Sequence, residues 1–304
     1  MANSYVVSSL PAYVEQRREE LIAKSVMGAP TLDYVNLQTG VKGPTALNLI
    51  DFDVALQADA CGWNEDGTST LTQRIIDAKP LRVNMAVCDK NLYGTWAQYQ
   101  VKVAAGKVAS DLPFESYFTN GVLDGIKEKV ENLVWQGDGA NTGEFDGFLT
   151  ILNYEGVYQA AQSATNMYEL LKEAIAALPC SVSGKDDVVL FTGCAAFNQA
   201  IFEFLDGNLY HFAPSPDSLN ERVAYFPGTR IRVIGVPGLD NVQGAQAVVV
   251  AGRASNFVYG TDLESDIETF DLWYSKDNRE FRIDVSFIAG TQIAYPSEAV
   301  ALYI

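Results

Sequence analysis

The sequence predicts an α+β protein, and three observations carry that reading. Residues 112–136 hold one long stripe of helical period, residues 45–57 and 281–287 alternate with period two, and residues 153–262 switch between the two patterns.

The helix comes first in weight. Phe114, Phe118, Val122, Ile126, Val130 and Val134 are each four apart, with Leu133 beside them, so one face is buried. Asp111 is a candidate N-cap, and Pro113 is tolerated in the first turn. Gly137 and Gly139 stop the helix, and the chain is expected to re-enter an apolar strand through Gly147, Phe148 and Leu149. About 24 residues at roughly 1.5 Å each give a rod of about 36 Å, around twice an ordinary helix.

The other elements follow in chain order. Residues 1–43 read as an extended lead and an amphipathic helix, with Pro11 in its first turn, Val14, Leu21 and Ile22 on its apolar face, and Gly28 and Pro30 at its end. Residues 45–84 read as a long β-hairpin. Ile50, Phe52, Val54 and Leu56 alternate with Asp51, Asp53, Ala55 and Gln57, and the turn is Asn64-Glu65-Asp66-Gly67. The return strand is expected to run from Leu71 through Arg74, Ile75 and Ile76 to Pro80. No Lys or Arg occurs from Pro44 to Gln73, while Asp51, Asp53, Asp59, Glu65 and Asp66 are acidic. An isolated two-stranded hairpin is marginal in water, so this one must lie on something, and an acidic arm prefers a basic surface. Trp63, beside the turn, is either an anchor for a partner or a local packing residue.

Residues 86–104 read as a helix with Leu92, Trp96, Tyr99 and Val103 on one side. Beyond the long helix, Asn166 and Glu169 open a capped helix whose face is Met167, Leu170, Leu171, Ala174, Ile175 and Leu178. Residues 187–192 read as a buried strand, 195–205 as a helix, 208–228 as a loop, and 229–236 and 245–251 as strands. At the end, Phe281, Ile283, Val285 and Phe287 alternate with polar residues, Gly290 breaks the run, and one or two further strands follow.

Composition narrows the function. A net charge of −17 argues against a protein that grips nucleic acid by its phosphates. The sequence shows no signal-peptide pattern, and no apolar run reaches the length of a membrane span. Cys61, Cys88, Cys180 and Cys194 form no C-x-x-C pair; they read as reduced cysteines of a protein made in a cytosol, packed as small apolar side chains. The loop from Gly137 to Gly143 fits neither a dinucleotide loop, having G-x-G-x-x-x-G after a helix, nor a calcium loop, having Ala140 and Thr142 where oxygen ligands belong. His211 is the only histidine, and nothing singles out a pair of catalytic carboxylates. No cofactor, metal or catalytic residue is assigned. A long rod beside a projecting hairpin, without a catalytic grouping, points to a building block.

The order of parts resembles the major capsid proteins of tailed bacteriophages, the Hong Kong 97-type fold. The resemblance rests on the acidic hairpin, the long helix, its end at Gln136-Gly137-Asp138-Gly139 followed by Gly147-Phe148-Leu149, and the closing stretch from Phe270 through Phe281-Arg282 and Gly290 to Ile304. The family often carries Pro before the glycine equivalent to Gly147; here Asp146 stands there. The resemblance implies an N-terminal arm (1–43), an extended hairpin or E-loop (44–84), a peripheral domain (85–160 and 261–304) with a spine helix at 112–136, and an axial domain (161–260). It implies hexamers and pentamers of this chain in an icosahedral head around double-stranded DNA, bound without sequence specificity and without a membrane. Contacts between copies are expected at Asp51, Phe52, Asp53, Trp63, Glu65, Asp66 and Arg74 of the hairpin and at Tyr5, Tyr13, Arg17 and Arg18 of the arm. The chain has no room for a removable scaffolding region, so a separate scaffolding protein is expected, with a portal and minor capsid or cement proteins as further partners. An encapsulin-like nanocompartment shell and a carbohydrate-active enzyme are the alternatives.

Overall fold

The computed structural model describes residues 28–53, 68–88, 114–207, 222–262, 269–278 and 280–304. The strands, in chain order, are β1 (Asn36–Gln38), β2 (Thr45–Asp53), β3 (Thr68–Ile76), β4 (Lys79–Cys88), β5 (Tyr158–Ala160), β6 (Val188–Gly193), β7 (Val223–Tyr225), β8 (Arg232–Val236), β9 (Val248–Arg253), β10 (Phe257–Thr261), β11 (Thr269–Ser275), β12 (Glu280–Ile293) and β13 (Val300–Tyr303). The helices are α1 (Phe114–Gln136), α2 (Phe148–Tyr154), α3 (Met167–Ala177), α4 (Cys180–Ser183) and α5 (Cys194–Asp206). The mixture of sheets and helices makes the fold α+β.

A six-stranded sheet, ordered β5-β13-β9-β6-β8-β7, is covered on both faces. Period-two alternation sorts its side chains. Val188 and Leu190 of β6 face a core with Leu170, Leu171 and Ala174 of α3 and Phe197, Ala200 and Phe204 of α5. Val189 and Phe191 face a second core built on Trp135, Phe148 and Phe257. The cap of α3 is real: Asn166 Oδ1 accepts the Glu169 N–H at 2.9 Å. Glu169 itself reaches back past Asn166 to the Thr165 N–H (3.0 Å) and hydroxyl (2.8 Å).

A second sheet is organised by the 14-residue β12. β4 lies along one side of it, and β11 and β10 follow one another along the other. One face of this sheet buries Phe270, Leu272, Phe281, Ile283, Val285 and Phe287 in the same core as Leu123, Ile126, Val130 and Val134 of α1. The long helix therefore lies across this sheet and ends beside the other. Val122 and Leu133 flank the stripe half-buried.

Several expectations are corrected. The hairpin ends at Ile76; the chain then turns through Asp77-Ala78 and β4 joins the second sheet, where Leu81, Val83, Met85 and Val87 share a face. Residues 86–88 are consequently strand, not the start of a helix, because a ten-residue ladder to β12 outweighs local pattern. Phe148–Tyr154 is a helix, not a strand, since Phe148, Leu149, Ile151 and Leu152 meet the core at helical spacing. A short strand, β7, lies in the expected 208–228 loop. Gly290 does not break β12; a Cβ there would lie 2.7 Å from Ala78 Cα, so the glycine lets the turn pass close by. Cys88 and Cys180 are exposed, not packed inside, and Cys194 is half-buried. Asp111, Pro113, Cys61, His211 and the residues proposed for the 86–104 helix beyond Cys88 lie outside the described residues.

Candidate assembly surface

The hairpin β2–β3 is paired in register from Thr45↔Ile76 to Asp53↔Thr68. One face carries Ile76, which is fully buried with Val41, Ala78, Val258 and Ile288, and Leu47, which packs on that group. The opposite face carries Ile75, Ile50 and Leu71, with Ile50 directly across from Leu71. These three are 57%, 52% and 63% exposed. Their exposure as a group on one face of a thin ribbon is what needs a physical reason, since scattered surface apolar residues do not. Asp51, Phe52 and Asp53 continue the backbone ladder, paired with Thr70, Ser69 and Thr68.

The base of the ribbon is fixed to its own body. Arg74 Nη2 donates to Glu155 Oε1 at 2.6 Å and to Gln292 Oε1 at 3.3 Å. Gln292 Nε2 donates in turn to the Ile75 carbonyl at 2.6 Å. Arg74, expected at a contact between copies, bonds here to Glu155 and Gln292 of its own subunit. Trp63, Glu65, Asp66, Tyr5, Tyr13, Arg17 and Arg18 lie outside the described residues.

The glycine corner after α1 is a second rigid feature. Gly137 N–H closes on Leu133 O at 3.0 Å, and Gly147 N–H donates to Gly137 O at 2.9 Å. A Cβ on Gly147 would meet Trp135 O at 2.6 Å, which is why only glycine fits. Asp146 earns its place here: Oδ1 accepts the Gly139 N–H at 2.8 Å, and its carbonyl accepts the Thr291 hydroxyl. Lys79 Nζ donates to Gly139 O at 2.5 Å, tying the start of β4 to the same corner. Sequence reasoning identified the glycines and Asp146 but not Lys79 or Gln292, whose partners Gly139 and Ile75 lie 60 and 217 residues away.

The outer face of the second sheet is polar. Arg82 of β4 lies opposite Ser286 of β12 and reaches diagonally to Asp284, two residues along, with Arg82 Nε donating to Asp284 Oδ1 at 2.7 Å. That hydrogen bond, helped by the guanidinium charge, holds the Asp284 carboxyl below the usual range. Among the described residues no cluster of three or more His, Cys, Asp or Glu side chains is placed to hold a metal ion.

No protein-family model and no curated protein matches the chain. Solved structures do. A chain of the satellite phage P4 procapsid, a structure that includes the size-determination (Sid) protein, aligns over 100% of this chain and 92% of its own with a TM-score of 0.61 at 11% identity. The capsid of Myoviridae phage XM1 aligns over 89% of both chains with a TM-score of 0.56 at 13% identity. The virus-like particle from Pyrococcus furiosus aligns over 95% of this chain and 99% of its own, TM-score 0.52, at 14% identity. This is a capsid-type fold. The likeness spans 89–100% of this chain in these three structures. No helix among the described residues is long and apolar enough to cross a membrane.

Proposed function

We propose that this chain is the major capsid protein of a tailed bacteriophage, a structural subunit of the Hong Kong 97 type and not an enzyme. The observation that carries the proposal is likeness to shell structures along the full chain. The exposed apolar face of the hairpin supports it, because a subunit of a closed shell gains the burial it lacks alone from its neighbours. In this reading β2–β3 is the root of the E-loop, α1 is the spine helix, the second sheet belongs to the peripheral domain, and the six-stranded sheet forms the axial domain. The subunits form hexamers and pentamers, assembled with a separate scaffolding protein and a portal, and the shell encloses DNA without reading its sequence. The protein is made in the bacterial cytoplasm and ends in the virion. An acidic chain suits a wall that must not stick to its genome.

Electron microscopy and sedimentation velocity on the recombinant protein test this. Shells, rings, sheets or tubes are the expected result. A chain that stays monomeric even when co-expressed with its neighbouring genes would overturn the proposal. The likeness to the Pyrococcus furiosus particle favours one second reading, a nanocompartment shell. Particles from the native source that hold enzyme cargo and no DNA would select it.

A further inference from the structure

One edge of the six-stranded sheet is open, and the surface is recessed on both of its faces. β5 is the outermost strand and pairs in parallel with β13. In a parallel ladder, alternate residues of an edge strand turn their backbone groups to the neighbour, and the residues between turn theirs away. The Ala161 N–H donates to Tyr303 O at 2.9 Å, which sets the phase. Gln159 therefore bonds β13, while Tyr158 and Ala160 present two N–H donors and two C=O acceptors to the open side. Gln159 and Ala160 are exposed. Natural edges are often blunted by lysine, proline or a bulge. The run Tyr158-Gln159-Ala160 carries neither charge nor proline.

Period two sends the side chains of β5 to opposite faces. Gln159 is paired with Leu302 on the α3 side, where a groove of about 740 Å³ lies between strand and helix. Val157, Ala176, Ala177, Val300 and Leu302 give it small or apolar walls. Tyr158 lies on the other face and lines a recess of about 520 Å³ with Gln136, Asp138, Asn141, Glu144 and Tyr154. Glu144 Oε2 accepts the Asp138 N–H at 3.1 Å, and Asp138 Oδ1 accepts the Ala140 N–H at 2.9 Å. Among the described residues neither carboxylate forms an ion pair, and no lysine or arginine lines either recess. The edge is held ready: Glu173 of α3 accepts the N–H groups of Gln162 at 2.6 Å, Ser163 at 3.1 Å and Ala164 at 3.2 Å, which fixes the chain as it leaves β5.

We propose that β5 is a strand acceptor: an extended segment of a partner polypeptide adds to its open edge, with apolar side chains in the α3 groove alternating with lysine or arginine over the acidic recess. Main-chain bonds to Tyr158 and Ala160 hold the segment, and the two recesses select its side chains. Charge complementarity assigns the basic positions, because Asp138 and Glu144 face a recess without a cation of its own. Tyr154 beside them is 69% exposed and offers its ring to the same cation. The fixed edge lowers the ordering cost of docking to the part borne by the incoming segment. The site stands whether or not the chain builds a shell.

Fluorescence anisotropy on the full-length chain tests this with a labelled peptide, Thr-Lys-Val-Arg-Val-Lys-Val-Thr. Saturable binding is expected. Two further peptides are N-methylated, one at its three valines and the other at its three basic residues. Alternate N–H groups of a strand point to opposite sides, so one methylated peptide should lose about tenfold or more in affinity and the other should keep it. Ala160→Pro removes an outward N–H and spares the ladder to β13; Ala176→Trp fills the α3 groove from an exposed helix position. Each should weaken the unmethylated peptide by about tenfold. A peptide with Glu at the three basic positions should not bind. Absent saturable binding, equal affinity of the two methylated peptides, or unchanged affinity in Ala176→Trp would overturn the proposal. Should Ala160→Pro fail to fold, the methylated pair and Ala176→Trp decide it alone.

Discussion

At the scale of single residues, glycines divide into those the packing demands and those it does not. Gly147 has backbone of Trp135 at 2.6 Å from where a Cβ would stand. Gly147→Ala should therefore cost about 2–3 kcal/mol, measured by chemical denaturation of the subunit. Gly121 and Gly125, on α1, face open space. Alanine at either should stabilise the isolated subunit by about 0.5–1 kcal/mol, because a helical glycine loses more backbone entropy than alanine. The glycine corner was legible as a helix stop, since its spacing is local. The need for glycine at 147 was not, because the clash comes from Trp135, folded back beside it, and the sequence carries no signal of that approach. The use of Asp146 in place of a proline was hidden because the hydroxyl its carbonyl accepts belongs to Thr291, 145 residues on.

At the scale of elements, long periodic segments were readable and short apolar runs were not. The Ile126, Val130 and Val134 part of the α1 stripe, the α3 face and the β12 alternation all emerge from spacing alone, and each meets the core face expected of it. Phe148–Tyr154 was misread because an apolar run of that length suits a strand or a helix, and only the surrounding core decides. β4 was missed although Leu81, Val83, Met85 and Val87 alternate, because its stability comes from β12, some two hundred residues later. The pairing of β4 with β12 gives a pH prediction. Asp284 is held low chiefly by its hydrogen bond from Arg82, so the contribution is present above the ordinary carboxylate range and is lost as pH falls through the depressed value. Acid unfolding followed by circular dichroism should begin at higher pH in Arg82→Ala than in the wild type.

At the scale of the whole molecule, one surface is unfinished. The hairpin is clamped at its base by Arg74 and Gln292 yet turns Ile50, Leu71 and Ile75 to solvent. Its alternation was plain in the sequence, but which face would be covered by the subunit's own body was not, because that depends on where the base is anchored. The double variant Ile50→Asp/Leu71→Asp should leave subunit stability within about 0.5 kcal/mol of wild type, as exposed positions do. Its yield of assembled particles, read by sedimentation velocity, should collapse. Trp63→Ala is expected to behave alike, folding normally and assembling poorly. The central claim is that this face is buried by another copy of the chain, and a cryo-electron microscopy map of assembled particles tests it most directly. The account predicts Ile50, Leu71 and Ile75 in van der Waals contact with a neighbouring subunit at every hairpin; a map of closed particles with that face open to solvent would contradict it.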